Sequence, residues 1–187
     1  TNNGFELYQN MNGIHFKKIF SGIKTLNGKQ TINIALVDLN NDGWLDIFLT
    51  TFNGGNFAVL NPLPDEGRLN VIPVPNGGAL LTSASAFADI NHDGFPDIVN
   101  GNYYLGIFTR TPVKQAVNQW VLNHNLEFKS HILEGIPGQT HSVLLSDINA
   151  DGHADLMVGN DYRVADTYYF GTSKQGFKKI RQQDGVI

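Results

Sequence analysis

The stretch Asp38-Leu39-Asn40-Asn41-Asp42-Gly43-Trp44-Leu45-Asp46 decides the reading of this chain, because it occurs three times. Its copies are Asp89-Ile90-Asn91-His92-Asp93-Gly94-Phe95-Pro96-Asp97 and Asp147-Ile148-Asn149-Ala150-Asp151-Gly152-His153-Ala154-Asp155. All three fit D-[LI]-N-x-D-G-x-x-D without a gap, and they begin at positions 38, 89 and 147. Chance can place one such window in a chain rich in Gly and Asp, but not three with the same polar positions. Recurrence after 51 and 58 residues marks a repeat architecture, in which each copy is one small unit stacked on the next.

The flanks repeat with the loops. Apolar runs precede them at 34–37, 84–88 and 143–145, and others follow at 47–49, 98–99 and 156–158. These runs are short, partly β-branched or aromatic, and end in Gly, Asn or Thr, as buried strands do. Between the loops lies a second motif, an aromatic strand, a polar turn and a strand carrying Phe then Lys. It is read at Leu7-Tyr8-Gln9-Asn10 to Phe16-Lys17, at Val121-Leu122-Asn123 to Phe128-Lys129, and at Tyr169-Phe170 to Phe177-Lys178. A degenerate copy runs from Val59-Leu60-Asn61 to Leu69-Asn70-Val71. The expected fold is all-β, with antiparallel strands entering and leaving every loop. Leu39, Ile90 and Ile148 at loop position 2, and Ile47, Ile98 and Leu156 just after each loop, are expected to face the interior. Thr111-Pro112 before Val113, Ala116 and Val117 allows a short helical turn near 112–118.

Composition agrees with this reading. The 187 residues make about one domain, and 41% hydrophobic residues can build a core. Twenty glycines and pairs such as Asn12-Gly13, Asn27-Gly28, Asn53-Gly54 and Asn76-Gly77 favour tight turns over helices. The lack of cysteine excludes disulfides, thiolate metal sites and a cysteine nucleophile. No apolar run approaches the ~18 residues of a membrane-spanning helix. Net charge is −4, and nine of the 17 acidic residues lie in the three windows, leaving eight against 13 Lys and Arg elsewhere. The acidity is local. With no basic cluster beyond Lys17-Lys18 and Lys178-Lys179, nucleic acid is not an expected partner.

Carboxylates at loop positions 1, 5 and 9 with an Asn at position 3 set four oxygen-bearing side chains along one tight turn. Gly at position 6 allows the reversal, and the backbone carbonyl of position 7 can add another oxygen. Hard oxygen donors in a flexible ring of six to eight suit Ca²⁺, whereas Mg²⁺ demands stricter octahedral geometry. Zinc is disfavoured by the absence of Cys and the irregular placing of His92 and His153. One Ca²⁺ per loop is therefore expected, three in all. The ligands are Asp38, Asn40, Asp42, Trp44 and Asp46; Asp89, Asn91, Asp93, Phe95 and Asp97; and Asp147, Asn149, Asp151, His153 and Asp155, with Trp44, Phe95 and His153 contributing carbonyls. An EF-hand loop shares the first six positions but needs an acid at position 12, where this chain has Leu49, Asn100 and Val158.

The three windows resemble the FG-GAP/VCBS repeat, the calcium-loop repeat of integrin alpha-subunit propellers and of many bacterial secreted proteins. The hairpins are similar to the family's LYxNxxxGxF element. Gln175-Gly176-Phe177 matches it, while His15-Phe16 and Glu127-Phe128 lack the glycine. The resemblance implies β-propeller blades, antiparallel four-stranded sheets with the calcium loop joining two strands of a blade. About three blades are present where propellers have four to eight. Residues 1–187 are thus expected to form a single partial propeller domain, a segment of a longer propeller or one whose ring closes with other copies or subunits.

Catalysis finds little support. His15, His124, His131 and His141 share no spacing, and Ser142 beside His141 on a strand points to the opposite face. The Asp161-Tyr162-Arg163 cluster reads as a solvated loop. The resemblance implies a non-catalytic, calcium-stabilised module for adhesion, recognition or assembly, located extracellularly, at the cell surface or in the periplasm. Its partner would be a protein or a glycan. The alternatives are a structural subunit of a larger complex or filament, and a segment of an enzyme whose catalytic residues lie elsewhere.

Overall fold

Alternating and continuous apolar runs punctuated by Gly and Asn produce strands throughout. A computed structural model of the protein describes residues 6–21, 24–61, 69–79, 81–104, 117–135, 137, 139–161, 164–173 and 176–181. Among these the strands are β1 (Glu6–Met11), β2 (His15–Ser21), β3 (Gln30–Val37), β4 (Asp46–Phe52), β5 (Gly55–Val59), β6 (Val71–Val74) and β7 (Thr82–Ala88). They continue with β8 (Asp97–Asn102), β9 (Gln119–His124), β10 (Glu127–Ile132), β11 (Thr140–Ser146), β12 (Asp155–Asn160), β13 (Thr167–Thr172) and β14 (Gly176–Lys179). A single 3₁₀ turn, Lys24–Leu26, is the only helical element among the described residues. Most of the stretch expected to allow a helical turn near 112–118 lies outside the described residues, as do Tyr162, Arg163 and Gln175.

The strands pair in chain order into three four-stranded antiparallel sheets, β3–β6, β7–β10 and β11–β14, beside a two-stranded sheet of β1 and β2. Each expected hairpin is present, including the degenerate copy, where Val59 opposes Val71. The second strand of the first two sheets is buried on both faces, which is why its sequence reads as a continuous run.

The registers of the three sheets coincide. Val37 opposes Asp46, Ala88 opposes Asp97 and Ser146 opposes Asp155, so each acidic window spans the turn between the first and second strands. The far ends carry a register shift at matching places, Thr31/Asn33, Thr82/Ala84 and Thr140/Ser142. The first strands pack side by side, β7 between β3 and β11, and bring the three acidic loops to one end of the molecule.

Apolar residues fill the gaps between sheets. Leu39, Phe48, Ala58 and Val74 of the first sheet unit meet Ile98 and Val121 of the second. Ile90, Val99, Trp120 and Leu133 of the second meet Leu156, Val158 and Tyr169 of the third. Loop position 2 is therefore a plug into the next sheet: Leu39 is 0% exposed and Ile90 5%. Ile148 departs from the expectation of burial, being 54% exposed, because no described sheet follows the third. Ile47, Ile98 and Leu156 are buried as expected.

Candidate functional site: the three acidic loops

The three loops share one hydrogen-bonded skeleton. The carboxylate at position 1 accepts the backbone N–H groups of positions 5 and 6. Asp38 does so from Asp42 at 3.1 Å and Gly43 at 2.9 Å, Asp89 from Asp93 at 3.0 Å and Gly94 at 2.9 Å, and Asp147 from Asp151 at 3.1 Å and Gly152 at 2.9 Å. The position-3 amides of Asn40, Asn91 and Asn149 accept the position-5 N–H and donate to the position-5 carboxylate. That carboxylate accepts the N–H of position 7, from Trp44 at 2.8 Å, Phe95 at 3.0 Å and His153 at 2.9 Å. Two left-handed residues, at positions 4 and 6 on either side of the position-5 aspartate, make the reversal. Asn41, His92 and Ala150 have φ of 57°, 58° and 59°, and Gly43, Gly94 and Gly152 have 88°, 93° and 86°. The glycine is needed for this conformation rather than for space, since an added Cβ would meet nothing within 4 Å.

Position 9 behaves differently from the other two carboxylates. Asp46, Asp97 and Asp155 are fully buried; Asp97 and Asp155 bridge their loops to the third strand of their sheets, and Asp46 bridges its loop to Asn61 just past the third strand. One oxygen accepts the position-2 N–H, from Leu39 at 3.0 Å, Ile90 at 2.8 Å and Ile148 at 2.8 Å. The other accepts the N–H of Asn61 at 2.9 Å, Asn123 at 2.8 Å and Gly171 at 2.8 Å. Asn61, Asn123 and Gly171 did not figure among the candidate residues. Their signal lay in the hairpin motif, where Leu60-Asn61 and Leu122-Asn123 stand at the same register.

Electrostatics register the crowding of acids. Burial raises the Asp46 carboxyl above its ordinary pKa, and the charges of Asp42 and Asp38 add to the rise. Burial pushes Asp97 up to about 6, with Asp93 contributing in the same direction. Asp151 is lowered, first by the N–H of His153 and then by the amide of Asn149. In the second loop Asp93 also faces His124 at 3.0 Å, whose ring lies edge-on to Phe95.

Among the described residues no three acidic or imidazole groups converge closely enough to hold a metal. The structure winds positions 1, 3 and 5 around their own backbone and turns position 9 toward the sheet. The donor chemistry nevertheless fits a hard cation. Every side chain offered is a carboxylate or an amide, and a carboxylate oxygen that takes one N–H keeps a lone pair for a second contact. The side chains at positions 1, 3, 5 and 9 are the ones that would hold such an ion.

This loop, set between the first two strands of a four-stranded sheet and repeated along the chain, has known counterparts. Residues 38–100 match the FG-GAP-like repeat and residues 140–174 the FG-GAP repeat. The chain belongs to the FG-GAP repeat family. Its sheets are FG-GAP propeller blades. The chain is also similar to integrin alpha-3 of Cricetulus griseus and of Mus musculus, each 28% identical over 68% of this chain. It spans 14% of the length of those two relatives. No helix among the described residues is long and apolar enough to cross a membrane.

Proposed function

We propose that this chain is a calcium-braced segment of a β-propeller that serves recognition or assembly outside the cytoplasm, without catalysis of its own. The observation that carries the reading is the threefold recurrence of one all-oxygen loop with one hydrogen-bonded skeleton. Three carboxylates gathered on a nine-residue turn repel one another, and a cation removes that repulsion. Three divalent ions would take the formal charge of the chain from −4 to +2. The ligands assigned are the side chains at positions 1, 3, 5 and 9 with the carbonyl of position 7. Such a shell is made mostly of protein oxygens, so the ion acts as a brace rather than as a Lewis acid.

The binding partner is a protein or a glycan, and the similarity to integrin alpha-3 favours a protein at a cell surface. Calorimetric titration of the chelator-treated chain with Ca²⁺ tests the core of the proposal. Three equivalents and a raised melting temperature are expected. No heat of binding and an unchanged melting curve would overturn it.

A second reading, assembly through open blade faces, is favoured by one observation. Leu36 is 63% exposed on the first blade and Ile148 is 54% exposed on the third, whereas their counterparts elsewhere in the repeat are partly or fully covered by the neighbouring blade. Residues 1–187 are then a partial propeller whose two ends take further blades, from the same polypeptide or from other copies. Sedimentation of the chain across a concentration range tests for other copies, self-association being the expected result and a strict monomer the contrary one.

A further inference from the structure

We infer that His92 and His153 form a binding site for a late divalent transition metal, Zn²⁺, Cu²⁺ or Ni²⁺, that staples the second blade to the third. The two residues are 61 positions apart and come from different acidic loops, yet Nε2 of His92 lies 3.3 Å from Nδ1 of His153. Their ring centroids are 5.4 Å apart with the planes tilted by 52°. The packing explains the approach. Ile90 is driven into the core shared with Leu156 and Val158, which draws the second loop against the third.

The fold does not require histidine at either place. The position of His92 is held by Asn41 in the first loop and Ala150 in the third, and that of His153 by Trp44 and Phe95. All three position-4 residues share the same left-handed backbone, so the loop closes equally well without an imidazole. The histidine pair therefore belongs to one blade junction and not to the repeat.

Donor chemistry selects the ion. Imidazole nitrogen suits Zn²⁺, Cu²⁺ and Ni²⁺, while the neighbouring oxygen loops suit Ca²⁺, so the two kinds of site do not compete. Two metal–nitrogen bonds of ~2.0–2.1 Å that span this nitrogen separation subtend roughly 105–110° at the ion, close to tetrahedral. Without metal, one of the two facing nitrogens carries the proton of an N–H···N hydrogen bond. With metal, neither does. Each ring then keeps its one proton on the nitrogen remote from the ion, a tautomer change in one ring that releases no proton overall. A modest turn of each ring aims both lone pairs at a common point beside the N···N line, and water fills the other positions.

The test is calorimetric titration of the full chain with Zn²⁺ in saturating Ca²⁺, comparing wild type with His92→Asn, His153→Phe and His124→Asn. The first two variants install residues that sister loops already carry, and retention of the wild-type melting temperature verifies their fold. One Zn²⁺ per chain is expected, with affinity falling at least tenfold in His92→Asn and in His153→Phe and staying within twofold in His124→Asn. Cu²⁺ should show nitrogen hyperfine structure from two imidazoles in wild type, lost in the two single variants. No Zn²⁺ binding, equal affinity in all variants, or loss in His124→Asn alone would each overturn the assignment.

Discussion

The carboxylate of Asp97 accepts the backbone N–H of Asn123 at 2.8 Å, and the Asn123 side chain carries the link onward across the blade junction. Its amide donates to the carbonyl of Leu39 at 2.7 Å and to that of Pro96 at 3.0 Å, and its oxygen accepts the N–H of Leu126 at 2.8 Å. One buried residue thus fastens the second loop to its own third strand and to the first loop. Asn123→Ala leaves those two carbonyls and one N–H without these partners. At about 1 kcal/mol per hydrogen bond the expected loss is roughly 2–4 kcal/mol, read as a shifted midpoint in urea unfolding with an unchanged slope.

Asp97 itself should titrate anomalously when metal is absent. Its folded pKa of about 6 lies above the ordinary value of 3.8, so the folded state holds this proton more tightly than the unfolded chain does. Stability contributed by the group is therefore present below pH 4 and lost as pH rises toward 6, by roughly 2–3 kcal/mol. Bound Ca²⁺ would reverse the sign by holding the carboxylate ionised. A carboxyl carbon resonance of Asp97 should titrate near pH 6 in chelator and well below pH 4 in Ca²⁺. A midpoint at the ordinary value in chelator would contradict the burial argument.

Calcium occupancy can be counted loop by loop. Asp151→Ala is the cleanest probe, because Asp93 is also engaged by His124. It should reduce the Ca²⁺ stoichiometry by one and lower the melting temperature even in excess metal. At a hundredfold excess over Kd each site adds about 2.7 kcal/mol, a large share of a typical domain stability. An unchanged stoichiometry in Asp151→Ala would place the ion elsewhere.

Much of this was legible in the sequence for a physical reason: the loops are local. Asp38, Asn40 and Asp42 meet their hydrogen-bond partners within five residues, so spacing alone encodes the turn. The strands were legible because Ile47 to Leu49 and Ile98 to Val99 are covered on both faces and read as unbroken apolar runs. Long-range partnerships were not. The tie from Asp46 to Asn61 spans 15 residues, and the one from Asn123 to Leu39 spans 84. Spacing marks position 9 as a metal ligand, but its bond to a residue in or just past the third strand has no local signature. Ile148 misled for a related reason. Its burial depends on a neighbouring blade, and nothing in the residue or its loop reports whether that blade is present.

That dependence gives a contrast within one motif. Ile90→Lys places a charge in the core beside Leu156 and Val158 and should cost more than 3 kcal/mol or prevent folding. Ile148→Lys sits at the same loop position on an open face and should change stability by less than about 0.5 kcal/mol. Paired urea melts of the two variants check this. A large loss in Ile148→Lys would mean that its face is covered in solution, and sedimentation of the wild type would then show an assembly.

The third loop has a weakness that the first two lack. Where they anchor their buried aspartate on Asn61 and Asn123, the third uses Gly171, and no side chain can be added there. A Cβ on Gly171 would stand 2.5 Å from the carbonyl oxygen of Ala154 and 2.9 Å from Cβ of His153. The first of these is backbone and cannot swing aside. Gly171→Ala must therefore push the β13 strand away from the loop, stretching the 2.8 Å bond from Gly171 N–H to Asp155. Overpacking of this kind costs about 1–3 kcal/mol. Because Asp155 is also assigned to the ion, the variant should weaken Ca²⁺ at one site of three while leaving the other two intact. Calorimetry that resolves a two-site wild-type-like class and one weakened site is the expected result. A uniform loss of all three, or none, would break the link drawn between Gly171, Asp155 and the loop.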